Sequence, residues 1–115
     1  MMKKKLARPA AKKISADKQL RHLRREIASL DNAFLDVFIH YLKRRADLAR
    51  QIGSVKKSAS LPIRDAVVEA TVEQRFVTRI GKLLDESFAR RIARAILASS
   101  RRQQKSSKKT SRKRV

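Results

Sequence analysis

Residues 20–53 read LRHLRREIASLDNAFLDVFIHYLKRRADLARQIG, and the spacing within this stretch decides the fold. Apolar side chains recur at Leu20, Leu23, Ile27, Leu30, Phe34, Val37 and Tyr41, in alternating steps of three and four that mark one face of an α-helix. A second line, slightly offset, runs Phe34, Phe38, Leu42, Arg45, Ala49 and Ile52. No Pro or Gly interrupts it before Gly53, so a single helix is expected from Lys18 onward. About 35 residues at 1.5 Å each reach about 50 Å, more than a chain of this size can cover with two shorter helices. The apolar stripe therefore predicts a partner chain.

Outward from this helix, composition sets the class. The 115 residues include no Cys, two Gly and two Pro, which fits one domain with few turns and no disulfide framework. Aromatic content is 4%, β-branched runs are scarce, and strong helix formers fill the middle. An all-α fold follows. The start, MMKKKLARPAAKK, has charge without an apolar segment behind it, and no run of about 18 apolar residues occurs anywhere. A cytoplasmic location and no membrane contact are expected.

Charge divides the chain into three. The formal net charge is +21, yet residues 1–13 and 101–115 carry much of it and hold no acid, whereas all ten acids fall within 14–100. The expected organisation is a basic tail over 1–16, a helical domain over 17–104 and a basic tail over 105–115. Such tails repel themselves and bury nothing, so they are expected to lack fixed structure. They can make weak polyanion contacts through counterion release, or serve only as solvated ends.

After Gly53 comes SVKKSAS, small and polar, then Leu61-Pro62 with Asp65 in the next turn, a start for a second helix. It is expected from Pro62 to about Ile80, with Ile63, Ala66, Val67, Ala70 and Val77 on one side, until Gly81 interrupts. Asp85 can cap a third helix whose line runs Phe88, Ile92, Ala95, Ile96, Ser99 or Ser100, and on to Gln103 and Gln104. Long, short, short is the architecture.

Several polar residues stand where apolar ones belong. Arg45 interrupts an apolar line, and its guanidinium must either bend out to solvent or meet an anion. Lys56 shares that side if the helix continues through Gly53. Glu69 lies on a second stripe of the second helix, and Ser100 and Gln104 end the inner line of the third. Each by itself reads as an ordinary surface or edge residue. His22 and His40 have no Cys partner and no metal-ligand spacing, so they are read as surface residues, with no metal and no cofactor.

Together these positions resemble the all-α chorismate mutase family, chorismate mutase type II. LRREIASLD at 23–31 is similar to the family's opening pattern of helix 1, and RADLARQIGSVK at 45–56 places Lys56 eleven residues after Arg45. PIRDAVVE at 62–69 resembles the entry to helix 2, and FARRIARAILASSRRQQ at 88–104 resembles helix 3, with Ser100 and Gln104 at functional spacing. The resemblance implies a three-helix protomer with one long N-terminal helix, in an intertwined homodimer. It implies Lys56, Gln104 and Arg45 as catalytic residues, and Arg24, Arg45, Lys56, Asp65, Glu69, Ser100 and Gln104 as substrate-binding ones. Arg45 and Arg24 would clamp carboxylates, Arg24 from the partner chain, and Lys56 and Gln104 would bind the ether oxygen. Glu69 with the Asp65 backbone would hold the ring hydroxyl, and Ser100 would help with a carboxylate.

The sequence departs from the family's pattern twice. About four extra residues separate Asp31 from Arg45, which keeps the facing of the helix but adds about 6 Å, so Arg21 and Arg25 stand as substitutes for Arg24. Val68 occupies a position where many members carry an arginine supporting the glutamate, and Arg64 is a compensating candidate. The implied activity is the rearrangement of chorismate to prephenate in aromatic amino-acid biosynthesis. The alternatives are an isochorismate–pyruvate lyase of the same fold, a non-catalytic basic helical nucleic-acid-binding protein, or a helical adaptor.

Overall fold

The computed structural model describes the backbone of residues 2–107 and the side chains of residues 10–107. Three helices follow in order, α1 (Met2–Ser58), α2 (Ala66–Leu84) and α3 (Glu86–Lys105), with no strand among the described residues. The chain is all-α. It divides into two compact units, Met1–Tyr41 and Leu42–Val115. No helix among the described residues is long and apolar enough to cross a membrane.

The first unit is helical from Met2, so its basic residues are not the separate unstructured tail expected over 1–16. Lys and Ala dominate this segment, and their helix propensity outweighs self-repulsion. Asp17, four residues from both Lys13 and Arg21, supports the same outcome. Further along, Phe34 stacks on Phe38 at 5.1 Å between ring centroids, and Phe38 on Tyr41 at 5.8 Å. Leu23, Ile27, Leu30, Phe34 and Val37 are all exposed. His22 and His40 are exposed as well, His22 lying 3.7 Å from Glu26.

In the second unit, α1 ends in a Schellman turn. The Leu61 N–H donates to the Lys56 carbonyl at 2.8 Å, and Ser60 takes the left-handed position with φ 57°, a conformation that frees the last carbonyls to be met. Helix α2 starts later than expected, at Ala66 rather than Pro62, because Asp65 is itself the cap: its side chain accepts from the Val68 N–H at 3.1 Å. Gly81 does not end α2, which continues to Leu84. Asp85 then serves two helices at once. Its N–H donates to the Gly81 carbonyl, closing α2, while its carboxylate accepts from the Phe88 N–H at 2.8 Å, opening α3.

Helices α2 and α3 pack on each other, and the buried apolar residues of the unit are Ala49, Val72, Val77, Ala89, Ala93, Ile96 and Leu97. This differs from the expected faces. Of the expected α2 line Val77 is buried, but Ala66, Val67 and Ala70 are exposed, and Val72 and Gly81 are buried instead. On α3 the buried residues are Ala89, Ala93, Ile96 and Leu97; of the expected line Ile96 is buried, Ile92 half-buried and Ala95 exposed, and Phe88 is 48% exposed beside Arg91. Ala89 and Ala93 have no exposure at all. Small side chains let helix backbones approach closely, so they, rather than the largest apolar groups, mark the contact.

Candidate active site

A cavity of about 340 Å³ opens within the second unit, lined by all three helices and the turn between α1 and α2. The C-terminal part of α1 contributes Arg45, Leu48, Ala49, Ile52 and Lys56. Ile63 and Asp65 come from the turn, Val68, Glu69, Val72 and Arg75 from α2, and Leu97, Ser100, Arg101 and Gln104 from α3. The α1 and α2 contributions recur at three-and-four spacing, so one face of each helix turns inward.

Lys56 joins the three elements. Its ammonium donates to the Ile63 carbonyl at 2.5 Å and to Gln104 Oε1 at 3.0 Å. An ammonium has three N–H donors and an amide has two. Two of the three on Lys56 are thus engaged, and Gln104, held through its oxygen, keeps its NH₂ for another acceptor.

This pairing depends on how closely the ends of α1 and α3 meet. A Cβ at Gly53 would lie 2.7 Å from Gln104 Cα and 2.8 Å from Ser107 Oγ, so only glycine fits there. Ser107 is buried, and its single O–H is shared between the Arg50 carbonyl at 2.6 Å and the Gln103 carbonyl at 3.2 Å. Lys57 donates to the Lys105 carbonyl at 2.6 Å and also to that of Ser107. The basic tail expected over 105–115 therefore begins no earlier than residue 108, since Lys105 to Ser107 are tied to α1. The remainder, 108–115, lies outside the described residues.

Arg45 is half-buried, and its Nε is buried with no partner among the described residues. A donor in that state costs about 1–3 kcal/mol unless a ligand accepts from it. Of the two readings open for Arg45, solvent or anion, its place in the cavity wall favours the anion. Glu69 has only 12% of its side chain exposed, and its Oε1 accepts from Arg101 Nη1 at 2.6 Å, with Arg64 Nε 3.4 Å away. Arg64 thus stands beside the glutamate, as expected from Val68, but Arg101 makes the shorter bond.

Of the residues singled out from sequence, Arg45, Lys56, Asp65, Glu69, Ser100 and Gln104 line this one cavity. Arg24 does not; it is an exposed residue of the first unit, as are Arg21 and Arg25. Two lining arginines were missed. Arg75 continues the α2 line through Asp65, Val68, Glu69 and Val72, a signal that was available. Arg101 is one of several arginines on α3 and carries no distinguishing spacing. Four cations, Arg45, Lys56, Arg75 and Arg101, thus face two acids, one of them already paired. Among the described residues, no three His, Asp or Glu gather into a group that could hold a metal.

The described residues thus form an all-α domain with a cation-rich cavity whose wall contains a lysine–glutamine hydrogen bond. The chain belongs to the chorismate mutase type II family, whose pattern it matches over residues 23–105. Neither the curated proteins nor the solved structures yield a match to this chain.

Proposed function

We propose that this protein rearranges chorismate to prephenate as a homodimer. The observation that carries the reading is the Lys56–Gln104 pair in the cavity wall together with the unpartnered Arg45 Nε. Chorismate is a dianion, and its rearrangement breaks one C–O bond and forms one C–C bond in a single pericyclic step. No nucleophile, proton transfer or cofactor takes part. The enzyme need only select the compact conformer in which the two carbons approach, and stabilise the negative charge that grows on the ether oxygen.

Arg45 holds one carboxylate through charge-assisted hydrogen bonds. The remaining Lys56 N–H and the Gln104 NH₂ donate to the ether oxygen, and because Lys56 already fixes the amide, neither group must reorganise as charge develops. Ser100 supports a carboxylate. Glu69 and the backbone of Asp65 hold the ring hydroxyl; the two residues are already tied together, the Glu69 N–H donating to the Asp65 carbonyl at 3.0 Å. Arg24 closes the site from the partner chain, in keeping with its absence from the cavity lining and with the exposed apolar stripe beside it.

Incubation of the purified protein with chorismate, followed by loss of the diene absorbance and identification of the product, tests the reading. Prephenate is expected. Release of pyruvate from isochorismate, without prephenate formation, would instead assign the lyase chemistry. No turnover of either, with salt-dependent binding to nucleic acid, would leave a binding protein on the same scaffold.

A further inference from the structure

We propose that Arg101 is a positioning residue that sets how the Glu69 carboxylate meets the ring hydroxyl of the substrate, an assignment that rests on the mutase reading above. Glu69 is the least exposed acid of the cavity wall for which an ion pair is formed, and the two guanidinium groups near it both address the same oxygen. Arg101 reaches across from α3 to donate to Oε1 at 2.6 Å, and Arg64 Nε lies 3.4 Å from that atom. Oε2 makes no hydrogen bond to the described residues. The carboxylate is therefore divided into an anchored oxygen and a presented one.

This division has a chemical consequence. An ionised carboxylate accepts only, with about four lone-pair sites over its two oxygens. Left alone on α2, it could rotate and offer either oxygen to any cation in the cavity, including Lys56 or Arg45, and so neutralise the groups that grip the dianion. Held by Arg101, it keeps its charge compensated, stays clear of the other cations and offers Oε2 as an acceptor to a hydroxyl donor. Arg101 thereby favours substrates that carry a ring hydroxyl over those that lack one.

The two guanidinium groups are not equivalent. Arg101 is 28% exposed and forms a short hydrogen bond, whereas Arg64 is 70% exposed and at ion-pair distance only. Solvent screening makes an exposed pair of the second kind weak. The neighbouring Val68 lines the same wall without charge, so no cation on α2 at that position shares the task.

The experiment compares wild type with Arg101→Met, Arg101→Lys and Arg64→Met. For each, kcat/KM is measured on chorismate, together with the competitive inhibition constant of a chorismate analogue lacking the ring hydroxyl. Arg101→Met is expected to lower kcat/KM about tenfold, as the loss of one charge-assisted anchor. Arg101→Lys should recover part of that loss, and Arg64→Met should stay within about twofold of wild type. The inhibition constant of the analogue should be nearly unchanged in all three, because the presented oxygen has nothing to accept from it.

Equal losses for chorismate and for the analogue would show that Arg101 only supports the fold, and would overturn the assignment. So would an Arg101→Met enzyme as active as wild type. Helicity is checked by circular dichroism. If Arg101→Met unfolds, Arg101→Gln, which keeps a neutral donor at similar reach, takes its place in the same comparison. A wild-type protein inert toward chorismate would overturn the mutase reading and this assignment together, whereas an active wild type with a flat Arg101 series would overturn this assignment alone.

Discussion

At the scale of single residues, the proposed mutase chemistry rests most on the Lys56–Gln104 hydrogen bond. Replacing either side chain with Ala should lower kcat by more than about tenfold, since each removes a donor aimed at growing charge. The double variant should lose less than the product of the single losses, because Lys56 also orients the Gln104 amide and the two effects are coupled. Gln104→Glu gives a sharper test. An ionised carboxylate there repels the ether oxygen, and the protonated form can donate to it. Lys56 beside it favours the charged form and lowers its pKa, so activity should be lost at neutral pH and return only in acid. A pH–rate profile of the variant that is as flat as that of wild type would remove Gln104 from the site. Position, not residue type, distinguishes these side chains: Lys57, adjacent to Lys56, donates to the end of α3 instead.

Helix ends do the corresponding work at the scale of elements. Gly53 lets α1 and α3 meet at the level of Gln104. Gly53→Ala would press a methyl group against the Gln104 backbone, which cannot move aside as a flexible side chain would. A destabilisation of about 1–3 kcal/mol is expected, together with a fall in kcat larger than Tm alone would suggest. Truncation should show the same dependence. Deletion from Ser106 removes the buried Ser107 hydroxyl and its shared bond to α1 and α3, and should reduce turnover, whereas deletion from Lys108 keeps every contact described around the cavity and should spare it. At the other end of α3, Asp85 holds φ 99° while capping. A side chain there is strained, yet its carboxylate meets the Phe88 N–H. Asp85→Ala, losing the cap and keeping the strain, should cost about 1 kcal/mol and lower Tm by about 5 °C. Asp85→Gly should lose the cap but relieve the strain, and so melt above Asp85→Ala in thermal unfolding followed by circular dichroism.

For the whole molecule, the proposed dimer is tested by assembly and by mixing. The exposed stripe of α1 from Leu23 to Val37 is a continuous apolar helix face of the kind that marks an interaction surface. Sedimentation should find a dimer at micromolar concentration; a stable monomer would defeat the arrangement. Chains carrying Arg24→Ala and Arg45→Ala, each nearly inactive, are then unfolded together and refolded. About half the dimers are hybrids, each with one site that joins an intact Arg45 to an intact Arg24, so roughly a quarter of wild-type activity should return. Were both arginines to serve one chain's site, every site would still lack one of them and no activity would reappear. The same mixing with Arg21→Ala or Arg25→Ala identifies a neighbour that has taken over the role.

What the sequence determined by itself is what short-range physics controls. The three-and-four period of α1 and the caps at Asp65 and Asp85 follow from local spacing and local hydrogen bonds, whereas Arg45, Lys56, Glu69, Ser100 and Gln104 stood out as a set only through the resemblance to the family. The tertiary structure alone decided the rest. Ala89 and Ala93 are fully covered while Phe88 is exposed, because the closest approach of two helices is set by the smallest side chains, and periodicity counts only apolar character. Ser107 belongs to the fold rather than to a tail because Gly53, 54 positions earlier, leaves space for it. Arg101 meets Glu69 from another helix, 32 residues away, and a long, rotatable guanidinium on a helix carrying several of them shows its partner only once the helices are docked.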